Sequence, residues 1–118
     1  NNFPATLQSN DETGSVILSG GQTLRGPRVS HLPGPVEIAV RPERIELVDA
    51  GAGLVSGTVR ERIFFGAQWI LAVETPMGEF LVARRNAGAR EVEIGSTVHL
   101  AWAPHDLRIL PAEHEVSA

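Results

Sequence analysis

The side chains able to do chemistry in this chain are few, and their spacing argues against catalysis. Four histidines are present, His31, His99, His105 and His114. None shows the i, i+4 spacing of a zinc-binding helix, and the absence of cysteine removes both thiolate ligands and a disulfide framework. Ser30 and His31 are chain neighbours in a Pro/Gly-rich loop, not an arranged nucleophile and base, and no G-x-S-x-G elbow occurs. Glu43 with Glu46, and Glu91 with Glu93, are paired carboxylates that acid/base catalysis could use. Each pair sits beside Arg on what should be a solvated face. A nucleotide-hydrolysing loop needs a lysine for the β- and γ-phosphates. All ten basic residues here are arginine. No catalytic residue and no metal ligand is therefore assigned.

The remaining chemistry-bearing groups are Trp69, Trp102 and the arginines. A single-strand nucleic-acid platform would place the tryptophans outward among basic residues. Both tryptophans instead fall on the apolar side of a predicted strand, the formal net charge is −4, and the one dense basic pair is Arg84-Arg85. Nucleic acid is not an expected partner.

The elements that must carry these residues read as short strands. Val36, Ile38 and Val40 alternate with Glu37, Ala39 and Arg41, the pattern of a half-buried strand. Val55, Val59 and Ile63 alternate with Ser56, Thr58, Arg60 and Arg62, and Glu61 on the apolar side predicts a bulge. Trp69-Leu71-Val73, Phe80-Val82 and Val98-Leu100-Trp102 continue the series. Thr75-Pro76-Met77-Gly78 has the composition of a type I turn, and Ser19-Gly20-Gly21 that of a tight hairpin. Helix is confined to single turns at Pro42-Glu43-Arg44 and Pro104-His105-Asp106, where Pro at a first-turn position forfeits no hydrogen bond.

At 118 residues, 42% hydrophobic and 20% charged, the chain is one domain with enough apolar surface for a core. No run of about 18 apolar residues is present, so no membrane insertion is expected. No signal peptide is visible, and a start without Met suggests a piece of a longer chain. A break at Arg25–Pro35 reads as a crossover between two lobes: residues 1–34 as a smaller N-terminal lobe of short strands, 35–110 as the main barrel, 111–118 as a polar tail. A loop is expected at Asn86–Arg90, and no internal repeat is visible. The fold class is all-β, an OB-fold-like β-barrel module.

Four segments in chain order carry a family resemblance. Val40-Arg41-Pro42-Glu43-Arg44-Ile45-Glu46-Leu47 resembles the VRPE-x-I-x-L motif of the TOBE-type regulatory domains of ABC-importer ATP-binding subunits. Gly57-Thr58-Val59 with Phe65-Gly66 is similar to the next strand pair of that family. Ile94-Gly95 to Trp102 resembles its G-x-x-V-x-L-x-W strand, and Pro104-His105-Asp106-Leu107-Arg108-Ile109-Leu110 its closing P-x-D-x-R-x-L. Asn1-Asn2-Phe3-Pro4-Ala5 is similar to the stretch after the nucleotide-binding domain in polyamine-type importers.

The resemblance implies an accessory regulatory and dimerisation domain, cytoplasmic and peripheral to the inner membrane. Its partners would be a second copy of the same subunit and, through the parent chain, the membrane subunits of the importer. ATP and Mg²⁺ would be bound by the ATPase domain of the parent chain; no cofactor and no enzymatic activity are expected of this domain. Arg41, Pro42, Glu43 and Arg44 at the corner, and Arg60 and Arg62 on the next strand's outer face, are the candidate interface residues. Arg41 and Glu43 would either clamp the corner by charge or face a partner. The alternative reading is a stand-alone barrel that binds a small oxyanion.

Overall fold

The structure, a computed structural model, describes residues 1–30, 32–85 and 92–112. Ten strands form two antiparallel five-stranded sheets, and no α-helix occurs among the described residues. The first sheet contains β1 (Asn2–Asp11), β2 (Gly14–Ser19), β3 (Gln22–Gly26), β4 (Gly34–Ala39) and β10 (Arg108–Pro111), in the order β10-β4-β1-β2-β3. The second contains β5 (Glu46–Val48), β6 (Val55–Phe65), β7 (Gln68–Thr75), β8 (Gly78–Arg85) and β9 (Thr97–Ala101), in the order β5-β9-β6-β7-β8. The architecture is all-β, as the alternation requires, and its strand arrangement is OB-fold-like. Both expected hairpins form. Gly20 and Gly21 turn with φ of 56° and 80°, the left-handed pair of a type I′ turn whose twist suits the flanking strands. Pro76-Met77 turns without positive φ, and Thr75 pairs with Gly78.

The chain is an internal duplication, contrary to the expectation that it holds no repeat. Elements β1 to β4, the 3₁₀ turn Pro42–Arg44 and β5 are matched in order by β6 to β9, the 3₁₀ turn Pro104–Asp106 and β10. The registers agree in detail. Phe3 pairs with Ile38 as Val55 pairs with Leu100, and Ile38 pairs with Ile109 as Leu100 pairs with Leu47. Each long first strand carries a bulge at the equivalent place, between Leu7 and Ser9 and between Val59 and Glu61. The fifth strands are exchanged: β10 completes the first sheet and β5 the second.

The repeat is hidden in the sequence because matched positions conserve a face, not an identity. Of the pairs above and their neighbours, Thr6/Thr58, Val36/Val98, Ala39/Ala101 and Pro42/Pro104 are identical, while Phe3/Val55, Ile17/Val73 and Val40/Trp102 share only apolarity. The second hairpin and the connection to β9 are also longer than their counterparts, so the spacing between matched residues drifts.

The duplication changes the lobe boundary. The sheets do not part at residue 35, because β4 and β10 both join β1–β3. The Arg25–Pro35 break connects two strands of one sheet and is not a crossover between lobes. The expected Asn86–Arg90 loop, His31, Glu91, His114 and the tail beyond Ala112 lie outside the described residues.

One hydrophobic cluster serves both sheets. Phe3 from β1 lies 4.5 Å, centroid to centroid, from Phe80 of β8, and Phe80 stacks at 5.6 Å on Trp102. Leu107, carried between the Pro104 turn and β10, packs where a side chain at Gly26 of β3 would be, with Leu107 Cδ2 3.1 Å from a Cβ built there. Core and exchanged strands together make the halves interdependent.

Each bulge sets which side chains face inward beyond it. An extra residue in the strand shifts the two-residue period. Arg62 therefore pairs with buried Leu71 on the inner face, and Ile63, expected inside, is 49% exposed. At the matched place in the first half, Asn10 has the same inward position. Both use it to hold a loop: Asn10 accepts from Val29 N at 3.2 Å and donates back to Val29 O, and Arg62 Nη1 donates to Val92 O at 2.9 Å.

Candidate functional site

The corner singled out in the sequence is a 3₁₀ turn, Pro42–Arg44, entered from Arg41 in extended conformation. Pro42 presets φ and has no N–H to leave unpaired. Arg44 N donates to Arg41 O at 3.0 Å, and Ile45 leaves the turn extended and buried, so the chain re-enters the core immediately. The Pro104–Asp106 turn repeats this construction, with Asp106 N donating to Ala103 O at 2.9 Å and Leu107 buried in the place of Ile45.

Exchange of the fifth strands brings these two turns together. Arg44 Nε stands 3.8 Å from Asp106 Oδ1, and His105 Nε2 stands 3.8 Å from the same oxygen. Arg41, Arg44, His105, Asp106 and Arg108 line an open recess of about 160 Å³. The two motifs that carry most of the family resemblance thus meet in space. The charge clamp at this corner is Arg44 with Asp106. Among the described residues, Arg41 and Glu43 form no ion pair, and both are exposed. The Arg44 side chain is 57% exposed, so the pair contributes at most about 1 kcal/mol.

The six sequence-selected residues fall into three places. Arg41, Pro42, Glu43 and Arg44 share the corner. Arg60 lies on the outer face of β6 in a 2.6 Å ion pair with Glu74 across the strand pair, both largely exposed. Arg62 does not share that outer face: the bulge turns it inward, where its guanidinium lies 5.2 Å from the centre of the Trp69 ring. Trp69, expected in the core, is half-buried and packs 4.9 Å from Phe64, itself 52% exposed. His105, Asp106 and Arg108 were not selected as site residues. Their signal was present in the closing P-x-D-x-R segment, but nothing in the spacing joins it to a corner some sixty residues earlier.

Gly57, the first residue of the Gly57-Thr58-Val59 segment, has a packing reason. A Cβ there would sit 2.5 Å from the carbonyl oxygen of Glu74, so the close approach of β6 to β7 excludes any larger residue. No group of three or more metal-ligating side chains gathers among the described residues, and no helix there is long and apolar enough to cross a membrane.

Comparison with known proteins gives this geometry a context. Over 75 residues, 64% of this chain, it is 31% identical to the spermidine/putrescine import ATP-binding protein PotA of Onion yellows phytoplasma (strain OY-M). Over 77 residues, 64% of the chain, it is 34% identical to the protein of that name from Rubrobacter xylanophilus (strain DSM 9941 / JCM 11954 / NBRC 16129 / PRD-1), 20% of whose length is covered. Over 82 residues, 70% of the chain, it is 30% identical to the Fe(3+) ions import ATP-binding protein FbpC of Brucella abortus (strain 2308). The matches span 17% of the first relative and 23% of the last. A solved structure of the cytoplasmic molybdate-binding protein ModG with molybdate bound superposes with a TM-score of 0.81, covering 95% of this chain and 96% of that one at 15% identity, a likeness of fold. Residues 38–110, from β4 through both turns to β10, match the TOBE domain. The chain belongs to the TOBE domain family, and its relatives are ATP-binding subunits of ABC importers.

Proposed function

We propose that this chain is the accessory regulatory and dimerisation domain of the ATP-binding subunit of an ABC-type importer, of the polyamine class. The observation that carries this reading is that the importer relatives match the chain across the TOBE segment that holds both Pro turns. ATP and Mg²⁺ belong to the ATPase domain of the parent chain, which works at the cytoplasmic face of the membrane against the importer's membrane subunits. This domain hydrolyses nothing itself: it offers no lysine for a phosphate loop. Two copies pair about a two-fold axis and steady the ATPase domains as they open and close. The corner at Arg41, Pro42, Glu43 and Arg44 and, separately, the outer face of β6 bearing Arg60 are the candidate contact surfaces.

An antibody raised against this chain tests the reading directly in the source cells. It should detect a polypeptide roughly three to four times larger than 12.7 kDa, since the 75 and 82 matched residues are 17% and 23% of the relatives' length. Disruption of the locus should abolish uptake of labelled spermidine. A 12.7 kDa band alone, with normal uptake, would overturn it.

The second reading, a stand-alone oxyanion-binding barrel, is favoured by one observation. ModG is matched over 96% of its chain, so the same fold serves there as a whole protein. Molybdate titrated calorimetrically into the chain separates the readings. Saturable heat together with a 12.7 kDa band supports the barrel, and absence of heat removes it.

A further inference from the structure

We propose that the tip of the β6–β7 hairpin is a docking surface for an acidic segment of another protein, one that carries apolar anchors among its carboxylates. The duplication sets this hairpin apart. Leu7 and its partner Ile17 stand ten residues apart in the chain, and the matched Val59 and Val73 stand fourteen apart. Past the equivalent bulges the first hairpin closes at Asp11 and Gly14. The second runs two rungs further, with Phe64 opposite Trp69 and Phe65 opposite Gln68. The fold does not require the extension, since the same architecture closes without it in the other half. The first tip is polar, Asp11-Glu12-Thr13-Gly14, whereas the added rungs hold aromatic side chains.

These aromatic groups contribute little to the core and present their surface outward. Ile63, Phe64 and Phe65 are consecutive on β6 and 49%, 52% and 68% exposed. A contiguous apolar patch of this kind marks a site of association. The patch is also held in shape before any partner arrives. Phe64 packs 4.9 Å from Trp69 with ring planes 56° apart, and Arg62 lies over the Trp69 ring while donating to Val92 O. Side chains already ordered lose little freedom on binding. Trp and Arg are the residues in which protein contacts concentrate their energy, which favours a protein over a lipid surface.

Charge selects the partner. Arg84 of β8 stands opposite Trp69, half-buried and with no ion pair or hydrogen bond among the described residues. The two rungs of this face, Arg62-Leu71-Val82 and Phe64-Trp69-Arg84, hold two guanidiniums and no carboxylate. Glu61, one rung before, lies on the opposite face. A second copy is a poor occupant, because an isologous contact would bring Arg62 and Arg84 against their own images. A segment with carboxylates satisfies the guanidiniums by charge-assisted hydrogen bonds while its apolar side chains cover the rings.

The test is selection of a random-peptide phage library on the whole chain, followed by ¹H–¹⁵N titration with the selected peptides. These should be rich in Asp and Glu beside Leu, Phe or Trp, with saturable shifts centred on Phe64, Phe65, Trp69 and Arg84. Arg84→Glu and Phe64→Ser should each weaken binding about tenfold or more. Arg84→Glu should keep the wild-type urea midpoint, since Arg84 has no internal partner to lose. A library that yields no acidic peptide, shifts centred elsewhere, or undiminished binding by Arg84→Glu would each overturn the proposal. Vesicles of phosphatidylglycerol test the lipid alternative: binding to them through Phe64, without selection of acidic peptides, would also overturn it. None of these outcomes touches the importer reading, on which this inference does not depend.

Discussion

Trp102 is the side chain whose removal should cost the domain most, and the chemistry of the replacement should matter as much as its size. The residue is 7% exposed, stacks on Phe80 at 5.6 Å with ring planes 24° apart, and through Phe80 reaches Phe3 of the other half. A side chain of this kind buries about 150–250 Å². At about 25 cal/mol per Å² this corresponds to roughly 4–6 kcal/mol of transfer free energy. Against this stands the indole Nε1, buried without a hydrogen-bond partner among the described residues, which costs about 1–3 kcal/mol. Trp102→Ala loses the area and the stack but also removes the unpaired donor, for a net destabilisation of about 3–5 kcal/mol. Trp102→Phe keeps a ring against Phe80 and removes the same donor, so its net cost should be about 1 kcal/mol or less. Urea unfolding followed by far-UV circular dichroism measures both without relying on the lost fluorophore. With a slope of about 2 kcal/mol/M, the Ala variant should shift the midpoint by roughly 1.5–2.5 M and the Phe variant by about 0.5 M or less. A loss below about 1 kcal/mol for Ala would show that Trp102 does not join the halves. A Phe variant as damaged as Ala would show that the indole N–H is satisfied and the offset wrongly reasoned.

Gly20 and Gly21 both have positive φ, yet a Cβ at Gly20 would lie 2.6 Å from Pro76 O while one at Gly21 meets nothing within 4 Å. Gly20→Ala should therefore destabilise by at least about 1 kcal/mol more than Gly21→Ala in thermal or urea melts, and equal effects would mean that the two hairpin tips do not abut. Asp11 accepts hydrogen bonds from the Thr13 hydroxyl at 2.6 Å and the Thr13 N–H at 2.9 Å, which hold its carboxyl below the ordinary value of 3.8. Because the folded value is depressed, the stabilisation from this turn is present above pH 3.8 and lost as pH falls through the folded midpoint. A carbon-detected NMR titration should show that low midpoint and its return toward 3.8 in Thr13→Val. Sedimentation over a wide concentration range should give a rising average mass with a dissociation constant on the order of micromolar or weaker, as small transient contacts give. A strict monomer near millimolar concentration counts against pairing by this domain alone.

What the residues determined by themselves were the local facts. Alternation at Val36-Ile38-Val40 and Val98-Leu100-Trp102 marks strands and their inner faces, because a strand's two-residue period is a property of the backbone. Gly20-Gly21 and Thr75-Pro76-Met77-Gly78 mark turns, because φ preference is local, and Glu61 on the apolar side marked the bulge. The absence of lysine and cysteine decided what chemistry is missing, and the Val40–Leu47 and Pro104–Leu110 segments carried the family.

Tertiary structure alone decided which strands pair and which charges meet. Strand pairing is non-local, and alternation is the same whichever neighbour a strand takes, so the exchange of β5 and β10 and the duplication behind it left no periodic trace. Where the bulge sends the chain depends on the partner strand, which is why Ile63 and Arg62 traded faces and Trp69 left the core for the surface beside Phe64. The recess follows from the same exchange. Arg41 and Arg44 stand beside His105, Asp106 and Arg108 because each half completes the other's sheet, and electrostatic fields depend on distance in space, not along the chain.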